Sequence, residues 1–285
     1  MKKKIIFFSF ASKDLAISIN RLRFEAVNSK LYDQIKILSN NDIDAKGRKI
    51  QKKFQNKRGY GYWFWKPYLI LKIMNKMNRD DILHYADIGC HINLKGRMRF
   101  KRYIELLNKQ KKGIIAFQYY PLIKKKYKKK EFPERQEFKY TKSDLLNYFG
   151  FLKNKKITQT NQFWAGSFFI KKNAFTISFL TEWLNVFESN HNLIDDSPSK
   201  IKNHLKFIEN RHDQSVFSIL CKKYKIPSLS AYECDWSLRH NKKYWGYTKN
   251  SPIIAKRDLK YNFIKRFINR QKKTFRRLKN KLFLF

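Results

Sequence analysis

Apolar runs and helical stripes alternate along most of the chain. Residues 5–10 form a short apolar run and read as a first strand. Ser12 and Asp14 are helix-starting residues, and Leu15, Ile19, Leu22 and Ala26 fall on one helical face. Residues 35–38 resemble a second strand, and 42–57 a polar helix and loop. The central stretch, 58–93, begins with an aromatic loop, Gly59-Tyr60-Gly61-Tyr62-Trp63-Phe64-Trp65. Lys66-Pro67 then opens a helix, because proline gives up nothing in a first turn. Leu71, Met74 and Met77 mark its apolar face, and residues 82–86 read as a core strand ending at Asp87. Beyond it the pattern predicts a helix over 100–107, a strand over 114–117 and a helix starting at 141–144. A strand follows over 162–170, with small residues, Gly166 among them, where a ligand or backbone can come close. Phe175, Phe179, Trp183 and Phe187 line a further helix, Arg211-His212-Asp213-Gln214-Ser215 opens another, and 229–231 is a late strand. Strands alternating with helices over most of the chain predict an α/β sheet.

The last thirty residues differ in kind. Phe267, Ile268, Phe275 and Leu278 fall on one helical face, with Arg266, Arg270, Lys272, Lys273 and Arg277 around them, and no acid follows Asp258. This divides the chain into a domain over 1–255 and a basic amphipathic helix over 256–285. Such a helix suits an anionic membrane surface, with Arg266, Arg270, Lys273, Phe267 and Phe275 as contacts. Each basic group near that surface contributes about 1 kcal/mol. The expectation is a cytoplasmic protein, peripheral on the inner face of the membrane, with no nucleic acid as partner.

The net charge of +42 calls for something anionic, although a Lys- and Asn-rich composition accounts for part of it as solvated surface. Six lysines around Tyr127 read as a solvated loop. With 42% hydrophobic residues the chain can build a core. Three cysteines without paired spacing argue against a disulfide framework or a zinc site. The start of the chain reads as a strand rather than a signal peptide, and no run approaches the ~18 apolar residues of a membrane span.

No phosphate-binding glycine loop, nucleophile elbow or zinc-protease motif is present. What stands out is carboxylates at element ends. Open α/β sheets bind ligands outside the carboxyl ends of their strands, where Asp87 falls. Singly, each candidate has a plainer explanation: a helix cap for Asp213, a turn for Asp87, core packing for Tyr62, Trp63 and Trp65. Together they suit a nucleotide sugar. Aromatics would stack on base or sugar, Lys66 would meet a diphosphate, Asp87 a divalent cation, and Asp213 sugar hydroxyls.

The segments RGYGYWFWKPYLIL, DDILHYADIGCHIN, NQFWAGSFFIKK and ENRHDQSVFSIL, in this order, resemble a family of bacterial GT-A-type glycosyltransferases of surface-glycan synthesis, in capsule and lipopolysaccharide. The resemblance implies a GT-A-like single α/β domain with a central mixed, mostly parallel sheet flanked by helices, a nucleotide-sugar donor and a saccharide or lipid-linked acceptor. It places Ser9, Arg21, Trp65, Lys66, Asp87, Gly89 and Gly166 around the donor. It makes Asp213 and Gln214 the catalytic pair, lying against the donor sugar if configuration is retained; if it is inverted, Asp213 is the candidate general base, with Asp144 second. It makes Asp87 the first carboxylate of a D-x-D motif for Mn²⁺ or Mg²⁺, with His240 as a late ligand. Here the third position of that motif is Gly89, which weakens the expectation of a tightly held cation. The competing expectation is a basic, non-enzymatic protein that binds nucleic acid or anionic membrane.

Overall fold

A computed structural model describes residues 3–12, 15–54, 58–122 and 131–256, with scattered positions from 267 to 278. Six strands form the central sheet: β1 (Ile5–Phe10), β2 (Gln34–Leu38), β3 (Ile82–Ala86), β4 (Ile114–Gln118), β5 (Phe163–Lys171) and β6 (Ser228–Ser230). Their order is β2-β1-β3-β5-β4-β6. β1 runs parallel to β2 and β3, and β4 parallel to β6, while β5 is antiparallel to both of its neighbours. This is the α/β sheet that the alternating pattern predicts, mixed and mostly parallel as the resemblance implies.

The sheet is buried on both faces, which explains its near-continuous apolar strands. Along β1, Ile6 and Phe8 join Leu69, Met74, Trp183 and Phe217 on one face. Phe7, between them, joins Leu22, Phe100, Tyr103 and Phe117 on the other. The first face is covered by α2 (Trp65–Asn75), α4 (Ala174–Ser189) and α5 (Asp213–Lys223). The second is covered by α1 (Ala16–Ser29) and α3 (Arg97–Lys109). α2 departs from its expected stripe. Leu69, Ile70, Ile73 and Met74 are buried while Leu71 is only half-buried, because α2 packs against α4 as well as into the core on this face of the sheet.

Two features shape the ends of the strands. Ala116 pairs with Phe168 but Phe117 pairs with Trp164, so β5 carries an irregularity at residues 165–167 on that edge. Such bulges redirect backbone groups beside sites. In addition, residues 237–239 and 242–244 form a small hairpin that the apolar pattern did not reveal.

The described positions between 267 and 278 are helical, and Arg277 Nη2 lies 3.3 Å from Glu209 Oε1. Asp14, the lysine-rich loop at 124–130, Arg266 and Lys273 lie outside the described residues.

Candidate active site

The aromatic loop before α2 is a turn of left-handed helix. Gly59, Tyr60, Gly61, Tyr62 and Trp63 have φ of 56°, 58°, 87°, 52° and 65°. The amides of Tyr62 and Trp63 donate to the carbonyls four residues back, at 2.8 and 3.1 Å. Glycine adopts this conformation freely, whereas each other residue costs roughly 1–2 kcal/mol. Tertiary contacts hold it. Trp65 Nε1 donates to the Gly59 carbonyl at 3.0 Å, and its ring stacks on Phe10 at 4.1 Å. Arg58 Nη1 grips both oxygens of Asp196, at 3.0 and 3.1 Å. Backbone strain held in place this way concentrates at functional sites.

A Cβ on Gly59 would lie 2.5 Å from the Trp63 ring, in a backbone region that side chains avoid. Gly150 has a similar φ of 72° but open space around it. Gly59→Ala is therefore expected to destabilise by more than Gly150→Ala, whose cost is the backbone term of about 1–2 kcal/mol. Urea unfolding of the two variants checks the order; equal midpoints would mean the Trp63 contact is inconsequential.

The turn launches α2 so that Lys66 points inward beneath the ends of β3 and β5. Its ammonium is almost fully buried and lies 2.5 Å from Asp213 Oδ2, 3.5 Å from Asp87 Oδ1 and 3.1 Å from the Ala165 carbonyl in the β5 irregularity. Asp87 accepts from Tyr85 at 2.5 Å, and its amide donates to Gly166 at 2.8 Å. Burial pulls the Lys66 ammonium down, but Asp213 and Asp87 prevail and hold it above the ordinary lysine value. Burial pushes Asp213 up, against the pull of Lys66, to about 6. Asp213 opens α5 directly after His212, whose φ of 52° is a second strained position. His212 is buried against Tyr62 and Trp63, and burial, with Arg58 nearby, lowers it to about 4, so it is neutral at ordinary pH.

These groups open onto a cleft of about 820 Å³ at the carboxyl ends of the parallel strands. Lys66, Asp87, Gly89, Gly166, Asp213 and Gln214 all line it. Gln214 is tied back by its amide, which donates to Gln162 at 2.9 Å, and Gln162 in turn meets the buried Glu137. Among the described residues, seven basic side chains line the cleft against five acidic ones, together with Trp63, Trp164, Trp236 and Trp245.

Other expected residues fall elsewhere. Trp65 is buried beneath the left-handed turn, and Trp63 takes the place at the cleft. Ser9 is fully buried in β1 and does not line the cleft. Arg21 donates to the carbonyls of Ile88 and Cys90, at 3.0 and 2.9 Å, so it clamps the loop after Asp87 rather than facing the cleft. His240, with φ of 49°, sits at the exposed tip of the 237–244 hairpin, where a two-residue turn demands positive φ. It does not line the cleft and is not placed to ligate a cation beside Asp87.

The donor set does not fit a divalent cation. Asp87 Oδ1 already meets the Tyr85 hydroxyl and the Lys66 ammonium, and Gly89 supplies no second carboxylate. Lys66 fills the space between the two aspartates that a shared cation would need. No group of three or more metal-ligating side chains occurs among the described residues.

Arg135 and Arg211 were not expected from the sequence. Both line the cleft, each with its guanidinium carbon over a tyrosine ring: Arg135 at 3.9 Å from the Tyr119 centroid and Arg211 at 3.8 Å from that of Tyr140. The only local hint was the adjacency of Arg211 to His212-Asp213. Arg135 follows the lysine-rich loop, where one more cation carries no signal.

No family profile and no curated protein sequence matches this chain. Similar solved structures are glycosyltransferases. One is involved in glycosylation of the major capsid of PBCV-1, at 9% identity and TM-score 0.46, covering 94% of this chain and 99% of that one. Mouse xyloside xylosyltransferase 1 shows 9% identity and TM-score 0.41, covering 84% and 89%. GlyE of Streptococcus pneumoniae TIGR4 shows 12% and 0.38, covering 81% of this chain but 46% of that one. Likeness at this level carries no functional conclusion.

Proposed function

We propose that the protein transfers a sugar from a nucleotide-sugar donor to a saccharide or lipid-linked acceptor in surface-glycan synthesis. The observation that supports this most is the meeting of Asp87 and Asp213 on the Lys66 ammonium, within a wide cationic and tryptophan-lined cleft at the strand ends. A buried Asp213 and a half-buried Asp87 sharing one buried ammonium have no use in a protein that merely attracts nucleic acid through its surface charge.

In this reading the tryptophans stack on the base or sugar. The cleft's cations take the diphosphate, and Asp213 with Gln214 holds the sugar hydroxyls. The acceptor oxygen bonds to the anomeric carbon while the bond from that carbon to the phosphate oxygen breaks. The electron pair leaves with the nucleoside diphosphate, which also takes the acceptor's proton. Asp213 is bound to Lys66 and lines the cleft, where it orients the sugar; retention of configuration rests on the resemblance alone.

Thermal denaturation with a panel of uridine, guanosine and cytidine sugar nucleotides tests this. A ligand at about 100 times its Kd stabilises by about 2.7 kcal/mol, so one donor class is expected to raise Tm by several degrees. No shift with any donor, together with salt-sensitive DNA binding, would replace this reading with the basic non-enzymatic one.

The C-terminal helix places the enzyme, in this reading, on the cytoplasmic surface of an anionic membrane. Phe267, Ile268, Phe275 and Leu278 are exposed, and no helix among the described residues is long and apolar enough to cross a membrane. Replacing both Phe267 and Phe275 with serine is expected to weaken binding to anionic vesicles at least tenfold, since burying each ring is worth about 1.5–3 kcal/mol. Co-sedimentation measures it; unchanged binding would leave the helix without a membrane role.

A further inference from the structure

The cleft carries two arginines, Arg135 and Arg211, which differ in how far the acids around them match their charges. Arg135 has a carboxylate, Asp235, at 3.2 Å. Arg277 has Glu209, and Lys66 has both central aspartates. Arg211 makes no ion pair or side-chain hydrogen bond among the described residues; its guanidinium lies on Tyr140 and faces the cleft. It feels Arg135 strongly enough that burial first, and then that neighbouring charge, lower its proton affinity. A buried charge such as that of Arg211, with a like charge acting on it, is costly unless an anion joins it. The planar forks of the two arginines, fixed by the rings, match the oxygens of a phosphate. At the same time the aspartate expected to hold a divalent cation is engaged by Tyr85 and Lys66.

We propose that Arg211 and Arg135 bind the donor's diphosphate directly, doing the charge neutralisation that a divalent cation does elsewhere. This rests on the donor reading above and specifies how that site takes its anion. The pair contributes two fixed positive charges, opposite in sign to the charge that grows on the leaving phosphate as the sugar departs.

Calorimetric titration of the full chain with UDP, GDP and inorganic pyrophosphate, in EDTA and again in Mn²⁺, tests it without any substitution. At least one nucleoside diphosphate is expected to bind in EDTA with a Kd within about threefold of its value in Mn²⁺. Arg211→Gln, with its fold checked by circular dichroism, is expected to weaken that binding about 10- to 100-fold in EDTA. Arg211→Lys is expected to recover only part of it, because an ammonium keeps the charge and loses the fork. Binding that requires Mn²⁺ would overturn the proposal and leave the donor reading standing. Wild-type affinity in a folded Arg211→Gln would overturn it as well. Failure of every nucleotide to bind in both conditions would overturn the donor reading, and the proposal with it.

Discussion

Lys66→Met is expected to lower the stability of the fold by about 3–5 kcal/mol, the usual cost of removing one partner from a buried ion pair. The ammonium is 2% exposed and sits between two carboxylates. Its loss leaves Asp213 buried and facing Asp87 with no cation, so the native state must take up a proton or open. The double variant Lys66→Met/Asp213→Asn is expected to regain a large part of the loss, since it also removes the stranded charge. Exposed ion pairs give the contrast. Lys72 and Asp44 are 2.8 Å apart but 39% and 45% exposed, and Lys72→Met is expected to cost no more than about 1 kcal/mol. Urea unfolding of the four proteins measures all of this. If Lys66→Met unfolds at the wild-type midpoint, the ammonium does not hold the two aspartates together.

Asp213→Asn is expected to reduce sugar transfer at least about 100-fold while leaving the secondary structure intact, as removal of one preorganised polar group in a closed site does. The wild-type pH profile should agree with it. Burial raises this carboxyl from its ordinary 3.8 to about 6, with Lys66 pulling down and Asp87 pushing up. Transfer that needs the carboxylate is therefore lost as pH falls through about 6, higher than an ordinary aspartate would place that limb. Stability carries the opposite sign. Because the folded value is raised, the contribution of this group is fully present below 3.8 and is lost as pH rises through about 6. Between those values activity climbs while this group's share of stability declines. Rate and unfolding measured at half-unit steps from pH 4 to 8 separate the two, and an acid limb near pH 4 would remove Asp213 from the role.

The left-handed turn shows how far local reading reached. Two glycines in five residues signalled unusual backbone at the aromatic loop. They did not signal that Tyr60, Tyr62 and Trp63 would share that conformation, because those residues adopt it only under outside constraint, from Asp196, Phe10 and Gly59. The handedness of the turn in turn decides which tryptophan reaches the cleft. Of the two tryptophans expected there, Trp63 reaches it and Trp65 does not. His240 failed for a related reason: a histidine near a cleft and one on a hairpin tip are the same in sequence when the hairpin itself is unmarked.

Local order along the chain was enough to determine the α/β class, the main strands and helices, and two acids at element ends. Each of those depends on neighbours within a turn or a strand, where side-chain period and capping chemistry act. The three-way contact of Lys66, Asp87 and Asp213 joins positions up to 147 residues apart, and the Arg135–Arg211 pair joins two others with no periodic relation. Only the packed sheet, by bringing the ends of β3, β5 and α5 to one edge, decided which charges meet and which are left facing the cleft.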